Sequence, residues 1–132
     1  MFTLDRFGRT PIYEQLIEQV ERHVLDGTLR PQDPLPSVRS LSLSLSVNPN
    51  TLQKAYMELE RRGVCASVPG SGRFISADAR QRVVGRRREQ MSTLSRLVRE
   101  LALAGIPPRE VLACVEEAYQ GLGEASLKEE KV

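Results

Sequence analysis

The sequence predicts a mainly α chain with one small β-hairpin, and three observations carry that expectation. Apolar residues recur at helical spacing in three early segments, each bounded by a cap residue, a glycine or a proline. A short alternating run with a glycine-rich turn follows them. Helical spacing then resumes, and aromatic residues make up only 5% of the chain, which suits aliphatic helix packing.

The first helix is expected to open at Thr10-Pro11, an N-cap followed by proline where a missing N–H costs nothing. Ile12, Leu16, Ile17, Val20 and Val24 form its apolar face, and Gly27 stands at its stop. Pro31, Pro34 and Pro36 forbid helix in the next stretch and fix an extended connector. Ser37 caps a short second helix that turns Val38, Leu41 and Leu45 inward. Asn48-Pro49 repeats the cap-then-proline signal and opens a third helix ending at Gly63. At about 100° per residue, Leu52, Ala55, Tyr56 and Leu59 share one face, with Asn50, Lys54, Met57 and Arg61 opposite. No acidic residue appears on this helix before Glu58.

After Gly63, Val64, Ala66 and Val68 alternate with Cys65 and Ser67, residues 69–72 form a Pro-Gly-Ser-Gly turn, and residues 73–76 return as a second strand. Three helices and a hairpin in this order make an N-terminal winged helix-turn-helix, expected over residues 1–77. Residues 78–132 are expected to form a short two-helix C-terminal dimerisation domain. Its first apolar stripe, Val84, Met91, Leu94, Leu97, Val98 and Leu101, ends at Gly105; Pro108 starts a last helix with Val111, Leu112, Val115, Ala118 and Tyr119 on one side. Two short helices cannot cover so many apolar side chains within one chain, and a second copy with the same stripe is the simplest cover. The expected dimer interface is therefore Val84, Met91, Leu94, Leu97, Val98, Leu101, Val111, Leu112, Val115 and Tyr119. Residues 121–132 are expected to fray.

The net charge of +2 is unevenly placed. Residues 1–88 carry 14 basic and 9 acidic side chains, whereas residues 89–132 carry 5 and 8. A basic first part joined to an acidic second part fits a nucleic-acid-binding domain attached to one that does not touch nucleic acid. No run approaches the roughly 18 apolar residues of a membrane span, and residues 1–10 lack the apolar core of a secretion signal, so the expected location is the cytoplasm. Cys65 and Cys114 have no metal-ligand spacing and are expected to be buried, isolated thiols. His23, the only histidine, reads as an ordinary helix residue. No nucleophile–base pair and no phosphate-cradling loop appears, so neither an enzyme nor a cofactor is expected. Two C-terminal helices leave room only for a small hydrophobic or amphipathic effector, if one binds at all. Arg86, Arg87 and Arg88 fit either DNA phosphates or a solvated helix face.

The second and third helices are joined by residues 46–49, a turn of helix-turn-helix length. In that motif the second helix enters the major groove with its N-terminal residues toward the base edges. Those residues here are Asn50, Thr51, Gln53 and Lys54. Asn and Gln can pair with adenine, and Lys can reach guanine or phosphate. Asn48 and Thr51, with the free N–H groups of the helix start, suit a phosphate. On an isolated helix these residues would read as a solvated face; two connected helices and a wing in the right order favour DNA.

Leu35-Pro36-Ser37-Val38-Arg39-Ser40-Leu41, Val47-Asn48-Pro49-Asn50-Thr51-Leu52, Ala55-Tyr56, Leu59-Glu60, Gly63 and the wing Gly70-Ser71-Gly72-Arg73-Phe74-Ile75 resemble the GntR family of regulators. Asn-Pro-Asn-Thr and the short C-terminal part resemble its YtrA-like branch, and the resemblance covers roughly residues 11–118. It implies that Arg39 reads a guanine, that Thr51 contacts a phosphate, and that Asn50 and Gln53 read bases. It also implies that Gly70 and Gly72 bring the wing tip to the minor groove or a phosphate. Ser37, Ser71 and Arg73 complete the expected DNA-contacting set. Pro49 departs from the family, replacing an arginine of other branches, so one base contact of those branches has no counterpart. Ser42 and Ser46 stand where the family often has Ala and Gly, and Ser46 is expected to alter the turn. The implied function is operator binding by a homodimer; the competing reading is a winged-helix scaffold for protein partners, which would more often present an apolar or acidic face.

Overall fold

The computed structural model describes residues 1–130, with side chains described through Leu122. It divides into two compact units, Met1–Arg88 and Glu89–Val132. The first holds α1 (Ile12–Asp26), α2 (Val38–Leu45), α3 (Pro49–Arg61), the strands β1 (Cys65–Val68) and β2 (Gly72–Ile75), and α4 (Ala79–Arg88). The second holds α5 (Met91–Leu103) and α6 (Pro108–Glu130).

The apolar faces expected of the first three helices meet in one core. Leu16 and Val20 of α1 and Leu52, Ala55, Tyr56 and Leu59 of α3 are each at most 1% exposed. Each large side chain buried in this way contributes about 1.5–3 kcal/mol. α2 is shorter and shallower: only Leu41 of its three expected inward residues is fully buried, while Val38 and Leu45 pack half-buried against the core. α1 starts as expected, though by a different contact. Pro11 is itself the cap residue, and the Thr10 carbonyl accepts the Gln15 side-chain amide at 2.8 Å where a hydroxyl cap was expected.

β1 and β2 pair antiparallel from Cys65↔Ile75 to Val68↔Gly72. The proline-rich connector lies along β2: Gln32 N–H donates to the Ile75 carbonyl at 2.8 Å, and Leu35 N–H donates to that of Arg73 at 2.9 Å. Pro34 and Pro36 have no N–H, so the pairing stays a single bridge, Pro34↔Phe74, and never becomes a third strand. Only the root of β1 is buried, at Cys65; Ala66 and Val68 are exposed because the hairpin projects past the core.

Three features differ from the expectations. The first unit extends to Arg88, past the expected boundary after residue 77, because α4 packs on α1 with Ala79 and Val83 buried. Val84 accordingly sits half-buried on α4, and a turn at residues 89–90 separates it from Met91. Cys114 is exposed, unlike Cys65, which lies in the core of the first unit. Finally, α6 continues to Glu130, across most of the stretch expected to fray; residues 131–132 lie outside the described residues.

Candidate nucleic-acid interface

Two capped helix starts build the site. The Ser37 hydroxyl accepts the Ser40 N–H at 3.0 Å and opens α2, which leaves Arg39 exposed on its first turn. Asn48 Oδ1 accepts the Asn50 N–H at 2.8 Å, and Pro49 takes the first helical position of α3. Between them the chain turns at Ser46, whose φ of 54° and ψ of 48° place it in the left-handed region. The turn is thus of the left-handed kind, reached here with serine where glycine is easiest. Ser42 explains part of this. It is buried in the last turn of α2, and its hydroxyl donates to the Val47 carbonyl at 2.6 Å while its own carbonyl accepts the Ser46 and Val47 N–H groups.

Asn50, Gln53 and Lys54 emerge exposed on the first turns of α3, and Thr51 is half-buried behind them. No acidic residue lies in the first turn of α3, so its positive helix end keeps its attraction for an anion. Lys54 does not hang free: its ammonium lies 3.8 Å from the centroid of the Tyr13 ring of α1, a cation–π contact. At the wing tip, Gly70 and Gly72 have φ of 78° and 107°, and a Cβ at either would meet nothing within 4 Å. Glycine is therefore required there by backbone conformation, and the open space leaves the tip free to approach a ligand. Ser71 sits between them, exposed.

Arg73 is placed differently from the other expected DNA contacts. Its Nε lies 2.6 Å from Glu60 Oε1 of α3, and its guanidinium lies 5.2 Å from the Tyr56 ring centroid, with the side chain 18% exposed. It braces the root of the wing against α3. The Ser67 hydroxyl donates to the same Glu60 oxygen, and Ser67 and Arg73 together hold that carboxyl below its ordinary pKa. Glu58 is likewise spent: Arg61, with Arg62 beside it, holds its carboxyl down to about 2 against the opposing effect of burial. Both carboxylates of α3 are thus neutralised by partners on the protein, whereas Arg39 makes no ion pair among the described residues. At the other end of the helix, the start of α3 has no acidic residue in its first turn and carries Lys54 close by.

Tyr13 is not singled out by pattern, and Ser42 and Glu60 enter the sequence reading only as motif positions, without the contacts that position this surface. Their roles depend on contacts between α1, the turn, the wing and α3 that no single helical period displays. Among the described residues no group of three His, Cys, Asp or Glu could hold a metal ion.

In the second unit, Met91, Leu94, Leu97 and Leu101 of α5 and Leu112, Val115 and Tyr119 of α6 are exposed, and Val98 and Val111 are half-buried. α5 has no buried residue at all.

This arrangement has close counterparts. The family "Bacterial regulatory proteins, gntR family" matches residues 12–75, from the start of α1 to the end of β2. The HTH-type transcriptional repressor YtrA of Bacillus subtilis is 37% identical over 118 residues, 89% of this chain and 91% of that protein. A GntR family transcriptional regulator from Listeria monocytogenes superposes with a TM-score of 0.66 at 30% identity, covering 86% of this chain and 98% of that one. YtrA from Sulfolobus acidocaldarius, a GntR-family transcription factor, does so at 0.59 and 30% identity, covering 78% and 97%. The chain belongs to the GntR family of bacterial regulatory proteins, in its YtrA-like branch, and is a winged-helix DNA-binding transcription regulator.

Proposed function

We propose that the chain represses transcription by binding an inverted-repeat operator as a homodimer. The observation that carries the reading is the exposed, acid-free start of α3, with Asn50, Gln53 and Lys54 presented behind a doubly capped turn and Arg39 unpaired beside it. Asn and Gln supply paired hydrogen bonds to adenine, and Arg39 supplies a fork that matches the two acceptors of guanine. The Thr51 hydroxyl and the positive end of α3 attract a phosphate, while the tip residues Gly70, Ser71 and Gly72 approach the neighbouring groove or backbone. Lys54, steered by Tyr13, serves a phosphate better than a base. Arg73 contributes indirectly, by holding the wing.

The exposed apolar faces of α5 and α6 support the dimer, since a patch of this extent on a monomer normally marks an interface. A two-fold pair presents two α3 helices to two half-sites, and pairing raises the effective concentration of the second at its site. The printed description of the Bacillus subtilis relative as a repressor supports the direction of regulation. The test is selection from a pool of random duplexes. Recovered sequences should carry an inverted repeat with half-site centres about 10 base pairs, or a multiple, apart. Recovery of single half-sites or of no common sequence would contradict the reading.

A further inference from the structure

Residues 1–8 precede the helices and lie outside the family match, yet they are tied down along their length. The Gln19 side chain accepts the Thr3 N–H at 2.9 Å and donates back to the Thr3 carbonyl. Gln15 does the same for Asp5, at 2.8 Å in both directions. His23 Nε2 lies 3.2 Å from the Met1 carbonyl. The spacing explains why this works: four residues of helix rise about 6 Å, and two residues of extended chain rise about 6.6 Å. Residues 15, 19 and 23 of α1 therefore meet residues 5, 3 and 1 in step. The alternate residues Phe2 and Leu4 point the other way and pack half-buried against the core.

This arm delivers Arg6 to the helix-turn-helix. Its guanidinium donates from one nitrogen to the carbonyls of both Leu45 and Ser46, the latter at 3.2 Å. Those carbonyls close α2, where the helix leaves acceptors without partners and carries its negative end. Ser46 is also one of only two non-glycine residues at positive φ among the described residues, and the other, Gln32, lies in the connector. A serine in the left-handed region is strained, and such a conformation persists only where its surroundings hold it. Ser42 holds the turn from inside, and Arg6 holds it from outside.

We infer that Arg6 is a positioning residue for DNA recognition: it fixes the left-handed turn at Ser46 and so sets the angle at which α3 is presented. This rests on the DNA-binding reading above. Two features favour positioning over a direct phosphate contact. The donating nitrogen is engaged by two protein carbonyls, and the turn it holds contains the residue that most needs holding.

The test is a double-mutant cycle with Arg6→Ala and Ser46→Gly in the full chain. Affinity is measured on the selected operator and on random duplex over a range of salt concentrations. Arg6→Ala should weaken operator binding about fivefold, the worth of one ordinary hydrogen bond at an exposed turn. Random-duplex affinity and the salt slope should stay unchanged, because no phosphate contact is lost. In the Ser46→Gly background the same substitution should cost less than about twofold, since glycine adopts the turn unaided. Arg6→Lys should fall between, keeping the charge on a shorter side chain that places its donor differently. An equal loss in both backgrounds would overturn the role. So would a loss shared by random duplex with a salt slope reduced by about one, which would make Arg6 a phosphate contact. Unchanged operator binding in Arg6→Ala would also overturn it. A parent protein that does not distinguish operator from random duplex would remove the DNA-binding reading itself.

Discussion

Arginine is put to several uses in this small domain, and its surroundings decide which. Arg73 is paired with Glu60 and lies over Tyr56, so its charge serves the wing. Arg62 is 18% exposed and bridges Glu58 to Glu21, a carboxylate only 3% exposed. Arg39 is exposed and makes no ion pair among the described residues, so no carboxylate there claims its charge. The sequence pattern placed Arg39 and Arg73 in one DNA-contacting set, because it shows the position of a charge and not whether a neighbour has already claimed it. The difference is measurable. Arg39→Ala should lose roughly 1–3 kcal/mol of operator affinity and little affinity for random duplex. Equal losses on both, measured by titration with labelled duplexes, would mean that Arg39 only positions the protein.

At the scale of elements, α1 and α3 carry the structure, and one ion pair between them illustrates how. Arg62→Ala would strand the buried Glu21 carboxylate, at a cost of about 3–5 kcal/mol. Arg61→Ala removes an exposed pair with Glu58, which solvent screens, and should leave stability nearly unchanged. Urea denaturation of the two variants against the parent checks this, and comparable costs would contradict it. The elements themselves were largely legible in the sequence. Ser37, Asn48 and Pro49 mark the starts of α2 and α3, and the period of Leu52, Ala55, Tyr56 and Leu59 marks the buried face. α4 was harder. Its run of arginines masks a two-residue buried face, Ala79 and Val83, too short to register as a period, and the boundary was therefore expected before it. The arm was invisible for a related reason: its partners are glutamine side chains, which no hydropathy pattern records.

On the scale of the whole molecule, the division found between Arg88 and Glu89 coincides with the change from basic to acidic composition. The unit that carries α3 has a net positive charge, and the unit with the exposed apolar faces has a net negative one. Leu97, 48% exposed near the middle of α5, lies in the stripe assigned to pairing. Leu97→Glu should convert a dimer at micromolar concentration into a folded monomer by sedimentation, because the partner's apolar face would have to desolvate a charge. A variant that still sediments with the parent would move the interface elsewhere. If the exposed start of α3 reads sequence, a single titration shows it. The parent protein is bound to its selected operator and to a scrambled duplex of the same composition, at one physiological salt concentration. A preference of about a thousandfold or more for the operator is expected. Equal affinity for the two duplexes would contradict it.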